Sequence, residues 1–380
     1  MKRKDLYYAA LRGDATPRVP FFIEGFPFRY EPDESSYKFG WMAEPVYREL
    51  YGAIAPVIVH RAQMPLSEAI NRRLCIPGQY IAEGKFIADI SGDKRVQTGR
   101  LITPRGDLPY KREDRRGVST VWETRTPVNS LDELVQVLEV PFTFSEALYD
   151  IWYDRYVNLC EAMGDKGVVM FELLSPIVSI SDMMPFELFL ELSMTEKALF
   201  HEILAEVTRR ICVIIDGFLK IHPIKSVGYL GGAEQCTPPM MSPRSFDEYV
   251  APYDSQIAAV LNKRGQLAHM HCHGRVRHAL SRMIDIGITS TDPVEHPPSG
   301  DITFEEAVRI ADKKLTLVGN FNFDELELAP KGKIIERARE ILSFKGERVI
   351  LSSSGGPISR VSDKLAENYR ALLETYMKYA

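Results

Sequence analysis

Five of the chain's eight histidines crowd into residues 269–296, and three of them alternate in Ala268-His-Met-His-Cys-His-Gly274. On a strand, residues two apart share a face, so His269, His271 and His273 would all project the same way. Three imidazoles on one face are costly to bury without a metal or a charged partner. Zinc takes three or four nitrogen, sulfur or oxygen donors at about 2.0–2.3 Å, and His271 and His273 supply two. The following strand candidate ends in Ser290-Thr-Asp-Pro-Val-Glu-His296 and offers Asp292 and Glu295. The preceding one runs into Gly231-Gly-Ala-Glu-Gln-Cys236 and offers Glu234 and Cys236. The expected site is a divalent metal, zinc, on His271, His273 and Glu295, with Cys236 or Glu234 as fourth ligand.

Other polar residues stand where strand candidates end. Glu24, His60 and Glu172 close the first three, and Glu24 and Glu172 could orient a substrate or carry a proton. An acid at such a turn serves equally well at a helix N-terminus. Asn320, after the seventh strand, could donate a hydrogen bond to a substrate oxygen. The N-terminal segment is aromatic (Phe21, Phe22, Phe26, Phe28, Tyr30, Trp41), which suits core packing or an apolar wall for a flat ligand.

Positioning these residues requires strands. β-branched runs occur at residues 19–23, 55–60, 167–171, 226–230, 266–271, 287–291, 315–319 and 348–351. Amphipathic stretches separate the later ones, at 188–221, 245–263, 276–286, 303–312, 334–344 and 362–379. Continuous apolar strands alternating with helices argue for a parallel sheet covered by helices, and eight strands fit a (β/α)8 TIM barrel. Barrel active sites lie at the C-terminal ends of the strands, where His271 and His273 would fall. An open doubly wound sheet is the rival, but no G-x-G-x-x-G follows the first strand. Residues 61–142 break the alternation and predict an N-terminal insertion containing a β-hairpin, inside one domain spanning 1–380. Its run Lys111-Arg-Glu-Asp-Arg-Arg116 reads as a solvated turn.

The composition narrows the function classes. The chain has 380 residues, with 47 basic against 52 acidic side chains and a formal net charge of −5. No basic face is implied, which argues against nucleic-acid binding. Five scattered cysteines form no disulfide framework and suit a reducing, cytoplasmic compartment. No stretch of about 18 apolar residues is present, so no membrane partner is expected.

The chain resembles the uroporphyrinogen decarboxylase superfamily, most strongly from Tyr229 onward. The carrying segments are Thr237-Pro-Pro, Tyr249-Val-Ala-Pro-Tyr253, His271-Cys-His-Gly274, Asp292-Pro-Val-Glu295, Leu317-Val-Gly-Asn-Phe321 and residues 350–357. Upstream, Thr103-Pro-Arg-Gly-Asp-Leu108 and Val128-Asn-Ser-Leu-Asp-Glu-Leu134 are similar to two further family stretches. The resemblance implies a (β/α)8 barrel and two candidate chemistries. The decarboxylase branch has an arginine-rich N-terminal motif, of which only Arg29 and Tyr30 match here. The other branch, zinc methyltransferases working with cobalamin or a corrinoid protein, has H-x-C-G, a carboxylate on the next loop and a late cysteine. Here His271 matches the histidine, His273 replaces the cysteine, and Glu295 falls near the carboxylate. Residues 352–356 hold serine and glycine instead of the late cysteine.

The expected function is therefore zinc-dependent methyl transfer between a small methylated substrate and a corrinoid cofactor (cobalamin) or a corrinoid protein as partner. Two imidazoles and a carboxylate make a harder metal than thiolates do, which favours an O-methyl substrate, with Glu24 or Glu172 handling the proton. The alternatives are a decarboxylase of porphyrin biosynthesis and a non-catalytic corrinoid or porphyrin binder. Homodimerisation is implied by the resemblance alone.

Overall fold

In the computed structural model, which describes residues 1–380, twelve strands make two sheets. β1 (His60–Pro65) belongs to the larger one. Next come β2 (Ile81–Glu83), β3 (Ile87–Ala88), β4 (Lys94–Thr103), β5 (Gly106–Arg115) and β6 (Val121–Arg125), a separate antiparallel sheet. The larger sheet resumes with β7 (Gly167–Leu174), β8 (Val227–Gly231), β9 (Leu267–Cys272), β10 (Ser290–Pro293), β11 (Thr316–Phe321) and β12 (Val349–Ser353). Its strands lie side by side in chain order and all pair parallel.

The expected closed eight-stranded barrel is corrected to a curled, seven-stranded parallel sheet that is barrel-like without full closure. Residues 19–23 do not form a strand. Phe21 alone bridges to Leu351, with the Phe22 N–H donating to Leu351 O and the Val59 N–H to Phe21 O. Pro20 has no N–H to extend the ladder, and Gly25, at φ +87°, turns the chain away four residues on from Phe21. The second strand also starts later than expected. Residues 55–59 are turn, so His60 opens β1 instead of ending it.

Inside the curl, Tyr7, Phe22, Met170, Tyr229, Val318 and Ile350 pack together, and outside it a larger apolar cluster joins sheet to helices. The helix Arg3–Arg12 supplies Tyr7 and Leu11 to the inner cluster. It is tied to the starts of β11 and β12, where Thr316 Oγ1 donates to Ala10 O and Arg348 Nη2 to Leu11 O. The helix therefore covers the N-terminal end of the strands and leaves the other end open. The stretch 188–221 divides into helices Phe186–Thr195 and Lys197–Ile221, and 245–263 divides at Val250 ahead of Pro252.

The antiparallel sheet occupies the expected insertion. The charged run at 111–116 is mostly β5 and not a turn. Its charges are matched across the strand pair, with Asp114 fully buried on Arg95 at 2.6 and 3.0 Å. Leu101, Leu108 and Tyr110 of this sheet belong to the same apolar cluster as the parallel sheet's helices.

Candidate active site

Strand alternation aims His269 and His271 into the curl, and the register of β9 against β10 sets their neighbours; His273 lies just past the end of β9, its ring 4.6 Å from that of His271. His269 pairs with Ser290 and His271 with Asp292. The Asp292 carboxylate is the centre of the site. Its Oδ1 accepts from His271 Nδ1 at 2.7 Å, and its Oδ2 accepts from Arg61 Nη1 at 2.5 Å. Arg61, reaching inward from β1, also donates from Nη2 to Glu24 Oε1 at 2.7 Å and lies over the Phe22 ring. Below, His269 takes a hydrogen bond with Ser290 at Nδ1, while its Nε2 stands 3.2 Å from Asp292 Oδ1 but out of line for a hydrogen bond. The Tyr229 ring stacks on both imidazoles.

Burial and charge assign the protons. Burial would raise the Asp292 pKa, but Arg61 and the two histidines outweigh it and hold it well below the carboxylate range. Burial pulls His269 below the ordinary histidine range, against the opposing pull of Asp292. For His271, burial also pulls down, yet Asp292 overcomes it and the net shift is upward. Arg61, Asp292 and His269 are nearly sealed, whereas the His271 side chain is 25 % exposed. Its Nε2 carries no protein hydrogen bond. The arrangement presents one imidazole, biased towards its protonated form, to the open end of the sheet.

His273 and Glu295 form a second pair. Glu295 Oε2 accepts from the Gly274 N–H at 2.8 Å and lies 3.4 Å from His273 Nδ1. Gly274 holds φ +83°, a turn conformation that brings its N–H to the carboxylate. The expected zinc set does not assemble from these parts. No three histidine, cysteine, aspartate or glutamate side chains converge on one point. Cys236 is fully buried with its sulfur against Met241 at 3.8 Å, and burial pushes its thiol pKa far up. His271 commits Nδ1 to Asp292 but leaves Nε2 free, so that bond does not itself bar a metal. Glu234 is near enough to act on His271 electrostatically, and its Oε2 is buried without a partner. As placed, these side chains do not form a three-donor cage.

Glu24 joins the Arg61 network and borders a cavity of about 320 Å³ with Phe22, Phe26, Met42 and Gln63. Glu172 lines a different, larger cavity between the parallel sheet and the small one. Asn320 lines neither of these cavities. It is fully buried and its amide donates to Val294 O, so it braces a loop. His60, at the wrong end of its strand, is buried with its ring nitrogens on Phe26 O and Ala55 O. Arg61 was not foreseen from the sequence, although strand alternation would have found it had β1 been started at His60. Arginines also gather where none was expected. Arg72, Arg73 and Arg112 line the larger cavity.

A parallel α/β sheet with helical cover and a cluster of charged side chains at its strand ends defines a barrel-like protein of the kind that hosts many enzymes. The chain belongs to the uroporphyrinogen decarboxylase (URO-D) family, whose model matches residues 124–379. Among solved structures it is similar to a methyltransferase from Methanosarcina mazei, at 16% identity and a TM-score of 0.61, over 100% of this chain and 99% of that one. A D-psicose 3-epimerase from Clostridium cellulolyticum H10 reaches a TM-score of only 0.31 at 11% identity, over 62% and 84% of the chains. No curated protein matches. No helix is long and apolar enough to cross a membrane.

Proposed function

We propose that this chain is a methyltransferase-type enzyme of its family, moving a methyl group between a heteroatom of a small substrate and a corrinoid presented by a partner protein. The carrying observation is His271, fixed through Nδ1 by Asp292 and open at Nε2. When a methyl group leaves an oxygen, that oxygen retains the electron pair of the broken bond and needs a proton. Protonated His271 gives it from Nε2, and Asp292, locked by Arg61, keeps the ring oriented and favours its charged form. The reverse transfer uses the neutral ring to take that proton. Glu24 supports the network by holding the far side of Arg61. The Methanosarcina methyltransferase is what suggests methyl transfer, and the likeness itself bears on fold.

The test follows methyl–cobalt formation spectroscopically when the protein is mixed with reduced corrinoid and a panel of methoxy compounds, methylamines and methylated thiols. Turnover that falls at least about hundredfold in His271→Gln supports the reading. Carbon dioxide release from uroporphyrinogen, without methyl transfer, would hand the case to the decarboxylase reading.

A further inference from the structure

The larger cavity, about 600 Å³, lies between the small sheet and the ends of β1 and β7. Its charges are unevenly spent. Arg73, stacked on Tyr110, lies 3.2 Å from Glu83, and Arg112 lies 3.3 Å from the same carboxylate. Glu123 stands 3.5 Å from both. Arg72 is held by Asp182 at 2.8 Å. Each arginine is thus already matched by an acid of the protein. The Glu172 carboxylate has no ion pair and no hydrogen bond, although it faces the cavity. Arg72 lies near enough to feel it, but is committed to Asp182.

A position without a side chain stands on the strand between this cavity and His271. Glu172 and Leu174 share the inner face of β7, and Leu174 pairs with Gly231 on β8. Leu230 pairs with Met270, so Gly231 stands level with His271. That position has no side chain, and a Cβ there would meet only the edge of Tyr229 at 3.6 Å. Between the unpaired carboxylate and the imidazole, the strand places no side chain at Gly231.

We infer that this cavity takes a substrate bearing a cationic nitrogen, held by Glu172, with the rest of the molecule passing over Gly231 towards His271. An ammonium group placed beside Glu172 supplies the one counter-charge the cavity lacks, in a site partly shielded from water where a charge pair is stronger than at the surface. An anionic ligand would have to displace Glu83, Glu123 or Asp182 from an arginine. The inference deepens the proposed function by naming a feature of its substrate, but it concerns binding and not chemistry.

The experiment is therefore a titration calorimetry series on the full chain with no corrinoid present. Its probes are choline, butylammonium, the neutral carbon isostere of choline, and succinate. The wild type is expected to bind at least one ammonium probe roughly tenfold more tightly than the neutral isostere. Glu172→Gln should abolish that preference, while Glu172→Asp retains part of it and shows that the pocket survives substitution. The proposal is overturned if neither ammonium binds, if the isostere binds equally well, or if the preference persists in Glu172→Gln. It is also overturned if succinate binds more tightly than either ammonium and is weakened by Arg72→Ala. Ammonium binding without methyl transfer would leave this inference standing and sink the proposed reaction, so the two fail separately.

Discussion

The Asp292 carboxylate serves two masters, and substituting it should reveal both. Asp292→Asn keeps the shape but removes the charge that orients His271 and balances buried Arg61. Turnover should fall by about 10²–10⁴-fold. Unfolding in urea should show a loss approaching about 3 kcal/mol, the lower end for a broken buried pair, because Glu24 still holds Arg61. His271→Gln should lower turnover similarly with a much smaller stability change, since that ring is partly exposed and terminal in the network. The pH dependence follows from the upward shift of His271. A group whose folded pKa is raised contributes stability below its unfolded pKa, about 6.5, and loses it as pH rises through the folded value. Acid-assisted turnover should fall in the same window, above the ordinary histidine range, and a pH–rate profile checks this. Asp292, held low by Arg61, loses its contribution only as pH falls below the carboxylate range. Metal content is tested at this scale too. Protein purified without added metal should contain well under one zinc per chain, unchanged by His271→Ala. Stoichiometric zinc lost in that variant would overturn the donor geometry described here.

At the scale of elements, the helix Ala251–Lys263 carries a costly residue. Asp254 is fully buried, accepts one hydrogen bond from Ser175 Oγ at 2.8 Å, and leaves Oδ1 without a partner. Burial pushes its pKa up to about 7. The folded state therefore holds a proton that the unfolded state releases near 3.8. Stability from this group is full below that value and drains as pH rises towards about 7. Asp254→Asn should raise Tm at pH 8, corresponding to a few kcal/mol at most, and change it little at pH 4. Thermal melts at the two pH values decide it. The helix itself was legible in the sequence from its apolar period, but the buried carboxylate was not, since one acid on an amphipathic stretch reads as a solvent-facing residue.

The whole molecule depends on closing a sheet that its own strands do not close. Phe21 bridges the two edges by a single residue, and the helix Arg3–Arg12 fills the opposite end with Tyr7. Tyr7 is fully buried, with Arg61, Asp292 and Glu24 the charges nearest its hydroxyl. Tyr7→Ala should leave a cavity in the inner cluster and cost about 3–5 kcal/mol in denaturant unfolding. It should also reduce turnover, because the ion network would lose its floor.

The sequence alone determined the run of parallel strands from residue 167 onward, the inward face shared by His269 and His271, and the family. These depend on local alternation and short motifs, which survive without knowledge of neighbours. The start of β1, the single-residue bridge at Phe21 and the burial of Asn320 were decided by tertiary contacts. Each depends on which backbone groups find partners across the sheet. The same holds for the site. Three alternating imidazoles with nearby acids read as a metal cage in one dimension. Packing instead brought Arg61 from β1 to Asp292 on β10, 231 residues away, and turned Cys236 into the core. A charge that satisfies a carboxylate from so distant a strand leaves no local pattern, and only the folded sheet shows that Asp292 orients His271.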